Sequence, residues 1–247
     1  MFQDHFWCIA PKDNAKIWRY MNLTKFTDLL NNKSLYFCRL DKLGDSFEGS
    51  LPRVNYQLRE KVANKLEITG HDGKGFRRKS QTFSKNIRLT FYMNCWHLNN
   101  HESDAMWKLY AGAGGGIAVS STVERLKRCV SKAQDTIRIS KVKYIDYDKD
   151  GIPIVNCFAP ALHKRKSFSH ERELRAFVWE PNNLDKIKNN QQIEQGLPTQ
   201  IELEELIDEI YISPLEDDWF ASVKSIMKQY GLNKTLRHSK LSDSPLI

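Results

Sequence analysis

No segment of the 247-residue chain reaches the roughly 18 consecutive apolar residues that a helix needs to cross a bilayer, so no membrane span is expected. Met1 to Ala10 contain Asp4 and His5 and lack a basic start, which argues against a secretory signal. Cysteine is sparse: Cys8, Cys38, Cys95, Cys129 and Cys157 are an odd set, far apart, with no C-x-x-C pair and no histidine at ligand spacing. Buried, reduced thiols in a reducing, cytoplasmic compartment are expected instead of a disulfide framework. His97 and His101 stand four apart, but Leu98, Asn99 and Asn100 between them predict a loop rather than a zinc-binding helix, and no metal is expected. A phosphate-cradling loop is missing as well. Gly112-Ala-Gly-Gly-Gly116 has no G-K-[S/T] ending and reads as a helix stop and tight turn.

What is present is ordinary globular material, 40% hydrophobic and 28% charged, enough to bury a core as one domain over residues 1–247. Lys and Arg total 38 against 30 acids, and the net +8 biases long-range encounters toward polyanions such as RNA or DNA. The charge is uneven. His71 to Arg88 holds six bases, Lys74, Arg77, Arg78, Lys79, Lys85 and Arg88, and its Gly73 and Gly75 predict a loop. Ile201 to Ile210 holds five acids and no base. Lys74, Arg77, Arg78 and Lys79 are the candidate nucleic-acid contacts, the alternative being a merely solvated loop.

Amphipathic spacing predicts a helix over Leu23 to Asn32, capped by Thr24 or Asn22 and stopped by Asn31-Asn32. Ser34 to Cys38 reads as a strand, Asp41 to Gly49 as a loop, and Pro52 to Ile68 as a charged helix. Ile87 to Trp96 is the strongest strand, followed by a helix over Ser103 to Tyr110 with Ser103 able to cap it. A strand over Ile117 to Ser121, a helix over Val123 to Val130 and a long strand over Ile137 to Tyr147 come next. Ala159 to Lys166 suits a helix and Glu171 to Trp179 a strand. Pro181 to Pro198 is polar and predicts an excursion from a core spanning about residues 16–230. Glu209 to Ser213 makes a last strand and Leu215 to Tyr230 a helix with Phe220, Val223, Ile226 and Met227 inward. The βα units are too irregular for a doubly wound sheet. The fold expected is α+β, with a mixed, mostly antiparallel central sheet flanked by helices.

On the Glu171 strand, alternation places Glu171, Glu173 and Arg175 on one side. Adjacent carboxylates raise the proton affinity of one member, the division of labour wanted for acid/base work, while Arg175 opposes the shift. The other reading is an exposed strand face with a cross-strand ion pair. Arg19, framed by Trp18, Tyr20 and Met21, needs an anionic partner if buried. Glu48, Glu173 or a nucleotide diphosphate qualifies, and half-exposed stacking on an aromatic is the alternative. The stripe Ser103, Met106, Trp107, Tyr110 reads as core.

The series Trp18-Arg19-Tyr20, Leu35-Tyr36-Phe37, Asp45-Ser46-Phe47-Glu48, Cys95-Trp96-His97, Glu102 to Tyr110, Gly116 to Val119, Val142-Lys143-Tyr144, Lys166 and Glu171 to Arg175 resembles a bacterial family associated with AbiGi-type abortive infection against phage. The resemblance runs in order over about residues 16–230. An early Arg, an aromatic strand after a helix and a late E-x-E also resemble the arginine-serine-glutamate class of ADP-ribosyltransferases, which implies NAD as substrate. In that class the Arg holds NAD, the second Glu stabilises the oxocarbenium-like transition state and the first orients the acceptor. Carried over, Arg19, Tyr20, Phe37 and Cys38 bind NAD, and Glu173, Glu171 and Tyr36 are the catalytic candidates. Cys38 and Arg39 follow Phe37 where the class has a serine, and Ser120-Ser121-Thr122 lies on another strand. Either Tyr36 to Cys38 or Ser120-Ser121 therefore lines the nicotinamide pocket.

The expectation is an ADP-ribosyltransferase toxin or effector of anti-phage defence, acting on RNA or DNA, with a neutralising antitoxin as a further partner. An NAD glycohydrolase shares the pocket and uses water. A non-catalytic regulatory or nucleic-acid-binding module makes Glu171, Glu173 and Arg175 structural, and a nuclease would add Lys166 to the two glutamates.

Overall fold

The computed structural model describes residues 1–112, 115–214 and 219–245. Strand β1 (Lys16–Met21) leads into helix α1 (Leu23–Asn32), where the Asn22 side chain accepts the Lys25 N–H and so settles which residue caps. Phe26, Leu29 and Leu30 form the buried face of α1, each contributing about 1.5–3 kcal/mol by leaving water. The helix ends on Lys33, left-handed at φ 46°, and β2 (Ser34–Arg39) follows. Next come α2 (Arg53–Ile68) and α3 (Gly73–Ile87), which occupies the stretch expected to be a loop. Two glycines suggested that loop, but the Asp72 side chain accepts the Gly75 N–H and caps the helix. Gly73 is required because a methyl there would overlap the Ala63 carbonyl oxygen of α2.

Strand β3 (Phe91–Leu98) starts four residues later than its sequence pattern, because Ile87 ends α3 and Arg88–Thr90 form a 3-10 turn. Helix α4 (Asp104–Tyr110) begins after Ser103, whose side chain makes no capping bond, contrary to expectation. The Gly112 to Gly116 turn is described only in part, Ala113 and Gly114 lying outside the described residues. Strand β4 (Ile117–Thr122) and helix α5 (Val123–Val130) agree with the sequence reading. The long strand expected over Ile137 to Tyr147 is two short ones, β5 (Ile137–Lys141) and β6 (Lys143–Ile145). Between them the Val142 N–H donates to the Glu173 carbonyl, which turns the chain out of the first ladder.

Ala159 to Lys166 divides into helix α6 (Ala159–Leu162) and strand β7 (His163–Arg165), which pairs in parallel with β6 as a separate two-stranded sheet. A 3-10 turn over Lys166–Glu171 and a left-handed Arg172, φ 42°, then precede β8 (Glu173–Trp179). The polar excursion is more ordered than expected, containing α7 (Asn183–Lys188) with Asn183 buried and running into β9 (Gly196–Gln200). After α8 (Leu203–Leu206) and β10 (Glu209–Ile212), α9 is described over Trp219–Gln229, residues 215–218 lying outside the described residues. Val223 and Met227 are its buried residues, with Phe220 and Ile226 partly covered. The tail adds β11 (Thr235–His238).

The main sheet runs β11-β10-β4-β1-β3-β2-β9, with β8 also on β3 and β5 on β8. All its pairings are antiparallel except β10 with β11, so the fold is α+β with a mixed, mostly antiparallel central sheet. Strand β8 takes one edge of β3 from Phe91 to His97, so β1 and β2 share the other edge, at opposite ends. One face of the sheet, with Ile17, Met21, Trp96, Val119 and Leu174, forms the main core against α1, α5 and α9. The opposite face carries Trp18, Tyr20, Ala118 and Tyr211 under α4, and Phe91, Met93 and Phe177 against Phe158 and Leu162.

Candidate active site

That second face holds a buried ionic cluster. In the β3–β8 ladder His97 pairs with Glu173 and Cys95 with Arg175, so Glu173 and Arg175 project toward α4 and α6, away from the main core. Arg175 is fully buried and donates from Nε to Glu173 Oε1 (2.8 Å), from Nη2 to Glu173 Oε2 (3.0 Å) and Glu48 Oε1 (2.7 Å), and from Nη1 to the Ala161 carbonyl (2.6 Å). This geometry replaces the exposed ion-pair face with a buried one. Lys164, from β7, inserts its ammonium among three carboxylates: Glu171 Oε2 at 2.5 Å, Glu48 Oε1 at 3.2 Å and Glu173 Oε2 at 3.4 Å. Three acids and two bases leave the cluster with one negative charge in excess.

Glu171 and Glu173 therefore meet, by a different route from simple strand alternation. Glu171 closes the 3-10 turn, and the left-handed Arg172 swings it back to Lys164. Burial by itself would push the Glu173 carboxyl up; Arg175 and then Lys164 overcome that and hold it down at about 2. Burial would likewise lower Lys164, but Glu173 and Glu48 raise it above its ordinary value, so it stays an ammonium. Glu48 Oε2 is buried with no hydrogen-bond partner.

The cluster's rim is aromatic. The Tyr110 hydroxyl donates to Glu171 Oε1 (3.3 Å), the Tyr144 hydroxyl accepts the Glu173 N–H (2.8 Å), and the Lys164 ammonium lies 4.8 Å from the Phe168 ring centre. Tyr110 is 45% exposed, so this side faces solvent. Beside it Arg165 is paired with Asp45, Nη2 to Oδ1 at 2.6 Å, and lies 4.1 Å from the Phe47 ring centre. His97 donates from Nδ1 to the Glu171 carbonyl (2.7 Å), which leaves the lone pair on a buried, unpartnered Nε2. Burial pushes its pKa down, keeping the ring neutral.

The other candidates do not join this group. Arg19 lies on the main-core face, its guanidinium carbon 5.9 Å from the Trp96 ring centre, so the sheet itself separates it from Glu173 and it cannot anchor a ligand held there. None of its proposed carboxylate partners meets it, and Nη1 is buried without a hydrogen bond. Phe37 is fully buried core on that same face. Tyr20 is on the correct face but buried, with its hydroxyl accepting the Ser103 N–H (2.8 Å) and its ring against Trp107 and His97. Tyr36 is 48% exposed on β2 with its ring over Gly196, and half-buried Cys38 pairs with Met93. Ser120 and Ser121 are buried and bond to the β10 backbone and the Leu206 carbonyl, so neither lines a pocket. Lys166 is exposed beside Asp150, and Lys164 occupies the place a nuclease reading gave it.

Lys164, Glu48, His97, Tyr110 and Tyr144 are the members that sequence reasoning did not assign to catalysis. Their signal was the clustering of Asp45 to Glu48, Cys95 to His97 and Glu102 to Tyr110 in one series, without any spacing that ties them together. Among the described residues no group of three His, Cys, Asp or Glu is arranged to hold a metal ion. No protein-family model matches the chain, and neither does any curated protein or solved structure.

Proposed function

We propose that the chain is an NAD-cleaving ADP-ribosyltransferase whose reacting carboxylate is Glu171, with Glu173 as the residue that positions the cations around it. The observation that carries this reading is the convergence of Glu171 and Glu173 on Lys164 at an aromatic rim, with Glu173 held ionised. Both Glu173 oxygens are gripped by Arg175, whereas Glu171 has one oxygen on Lys164 and the other on the half-exposed Tyr110. Glu171 is thus the carboxylate that a ligand at the rim meets first.

Cleavage breaks the bond from the ribose carbon to the pyridinium nitrogen. The electron pair leaves with neutral nicotinamide, and positive charge develops on the ribose. A carboxylate fixed beside that carbon stabilises the charge more in the transition state than in the ground state. Arg165, whose side chain is 33% exposed and pairs with Asp45 through Nε and Nη2, supplies positive charge for the diphosphate in the role the resemblance gave to Arg19, while Lys164 holds Glu171 in place and Tyr110 or Phe168 offers a face for the nicotinamide ring. An acceptor nucleophile then adds to the ribose carbon and loses a proton. The polyanionic acceptor, the anti-phage setting and a neutralising partner are supported by the +8 charge and by the motif order that resembles the abortive-infection family.

The test is incubation with NAD labelled in the adenylate half, together with RNA, DNA and protein. Label on a macromolecule, lost in Glu171→Gln, supports transfer. Label released only as free ADP-ribose makes the same pocket a glycohydrolase. Intact NAD under all conditions overturns the reading and leaves the cluster a structural one.

A further inference from the structure

The net charge is concentrated in one supersecondary unit. Residues 53–88, the α2–α3 hairpin, carry ten basic and three acidic side chains, a net +7 of the chain's +8. Only one of the ten is strongly neutralised inside the unit: Arg77 binds Glu60 (2.8 Å) and Glu67 (2.6 Å) across the helix pair. Lys61, Lys65, Lys74, Arg78, Lys79 and Lys85 are exposed, and none forms an ion pair among the described residues.

The helical form of α3 gives these charges an order that a loop would not. Lys74, Arg78, Gln81 and Lys85 follow at spacings of four, three and four, which makes one stripe about 16 Å long. Along the axis Lys74 and Arg78 stand about 6 Å apart and Arg78 and Lys85 about 10 Å apart, with Gln81 between them. Tyr56 of α2 is 50% exposed, whereas Phe83, 52% exposed, lies roughly 160° around α3 from the stripe and lines a pocket with Arg59 and Leu51. An exposed ring beside unpaired cations suits an unstacked base, because every base has a face that can stack. The hairpin also adjoins the ionic cluster. Arg88, directly after α3, packs on Gly49, where an added Cβ would lie 2.9 Å from the Arg88 Cβ, and Glu48 is the next residue along.

We propose that the α2–α3 hairpin is the docking surface for single-stranded nucleic acid, with phosphates on the Lys74–Arg78–Lys85 stripe and a base against Tyr56. The role of that strand as ADP-ribose acceptor rests on the transferase reading; the binding itself does not. Arg77, in contrast to its sequence-level assignment, takes no part, because its guanidinium is already held by Glu60 and Glu67.

The experiment is fluorescence anisotropy of labelled single-stranded RNA and DNA of mixed sequence, with a duplex and polyglutamate as competitors, over a salt series and without NAD. Three proteins are compared: wild type, K74E/R78E/K85E, and K12E/K224E/K228E, which makes the same charge change on exposed lysines elsewhere. The first variant should weaken binding about tenfold or more and flatten the log–log salt slope by about 2, at roughly 0.7 per lost contact. The second should bind within about twofold of wild type. Equal losses in both variants, absence of binding by wild type, or better competition by duplex or polyglutamate than by unlabelled single strand would overturn the proposal. NAD cleavage into water, assayed with added NAD on the same three proteins, should be unchanged by K74E/R78E/K85E; intact NAD in wild type both with and without an acceptor would count against the transferase reading alone.

Discussion

Arg175 grips Glu173, two residues earlier on the same strand, with two guanidinium nitrogens, Nε on Oε1 at 2.8 Å and Nη2 on Oε2 at 3.0 Å. Neither side chain is open to solvent, and Arg175 also reaches Glu48 across 127 residues of sequence. A buried ion pair of this kind is costly to break from one side, because the remaining charge keeps its desolvation penalty and loses its partner.

Glu173→Gln should therefore lower stability by about 3–5 kcal/mol, although the change is nearly isosteric. Urea unfolding followed by tryptophan fluorescence measures this directly. Arg175→Met should be at least as damaging, since it strands Glu173 and Glu48 together. A Glu173→Gln variant as stable as wild type would mean that Arg175 is already satisfied by Glu48 and the Ala161 carbonyl.

The same pair sets an acid dependence. The folded value of Glu173, about 2, lies below its ordinary 4.5, so its stabilisation is complete above pH 4.5 and is lost as the pH falls toward 2. The size is on the order of 3 kcal/mol. His97 and His163, both pushed down by burial, add a loss of the same sign that begins near their ordinary 6.5. Unfolding midpoints measured between pH 7 and pH 2 should fall in wild type, and the part below pH 4.5 should shrink in Glu173→Gln. Parallel curves for the two proteins would place the acid sensitivity elsewhere.

Gly73→Ala should destabilise the protein by about 1–3 kcal/mol, against the helix preference of alanine. The added methyl would overlap the Ala63 carbonyl oxygen and crowd the Glu67 side chain, forcing α2 and α3 apart. Thermal unfolding followed by circular dichroism provides the measurement. A midpoint at or above that of wild type would show that the helix pair has room to shift.

The elements legible in the sequence were those whose pattern is local. Helix α1 follows from apolar spacing and a side-chain cap, helix α5 from its residue pattern, and the carboxylate–arginine alternation of β8 from its period of two. Helix α3 was hidden because Gly73 and Gly75 look like loop residues; their reason is the close approach of α2 and the Asp72 cap, which only the folded pair makes visible. The break at Val142 was hidden in the same way, since alternation runs on through it and the bond that diverts the chain comes from Glu173. Within the site, Glu173 and Arg175 were readable as neighbours, whereas Lys164 and Glu48 arrive through tertiary contacts that no spacing encodes. Arg19 was misplaced by a likeness of motif order, which carries no information about the face on which a strand residue projects.

Arg19 supplies the clearest separation of site from scaffold. It alternates with Ile17 and Met21 on the main-core face, while Glu173 lies on the other. Burial pushes its guanidinium pKa down, Nη1 has no hydrogen-bond partner, and the compensating contact is with the Trp96 ring. A charged group so placed costs desolvation that the ring, at about 0.5–2 kcal/mol, only partly offsets. Arg19→Met keeps the length of the stem and removes the charge. Its unfolding midpoint should equal or exceed that of wild type, and on the proposed function its KM for NAD should stay within about twofold, because nothing on that face reaches Glu171. A stability loss above about 2 kcal/mol would mean that an anion pairs with Arg19 in solution. A tenfold rise in KM with unchanged stability would show that the ligand passes through the split between β1 and β2 to reach Arg19, and the site would have to be redrawn across both faces of the sheet.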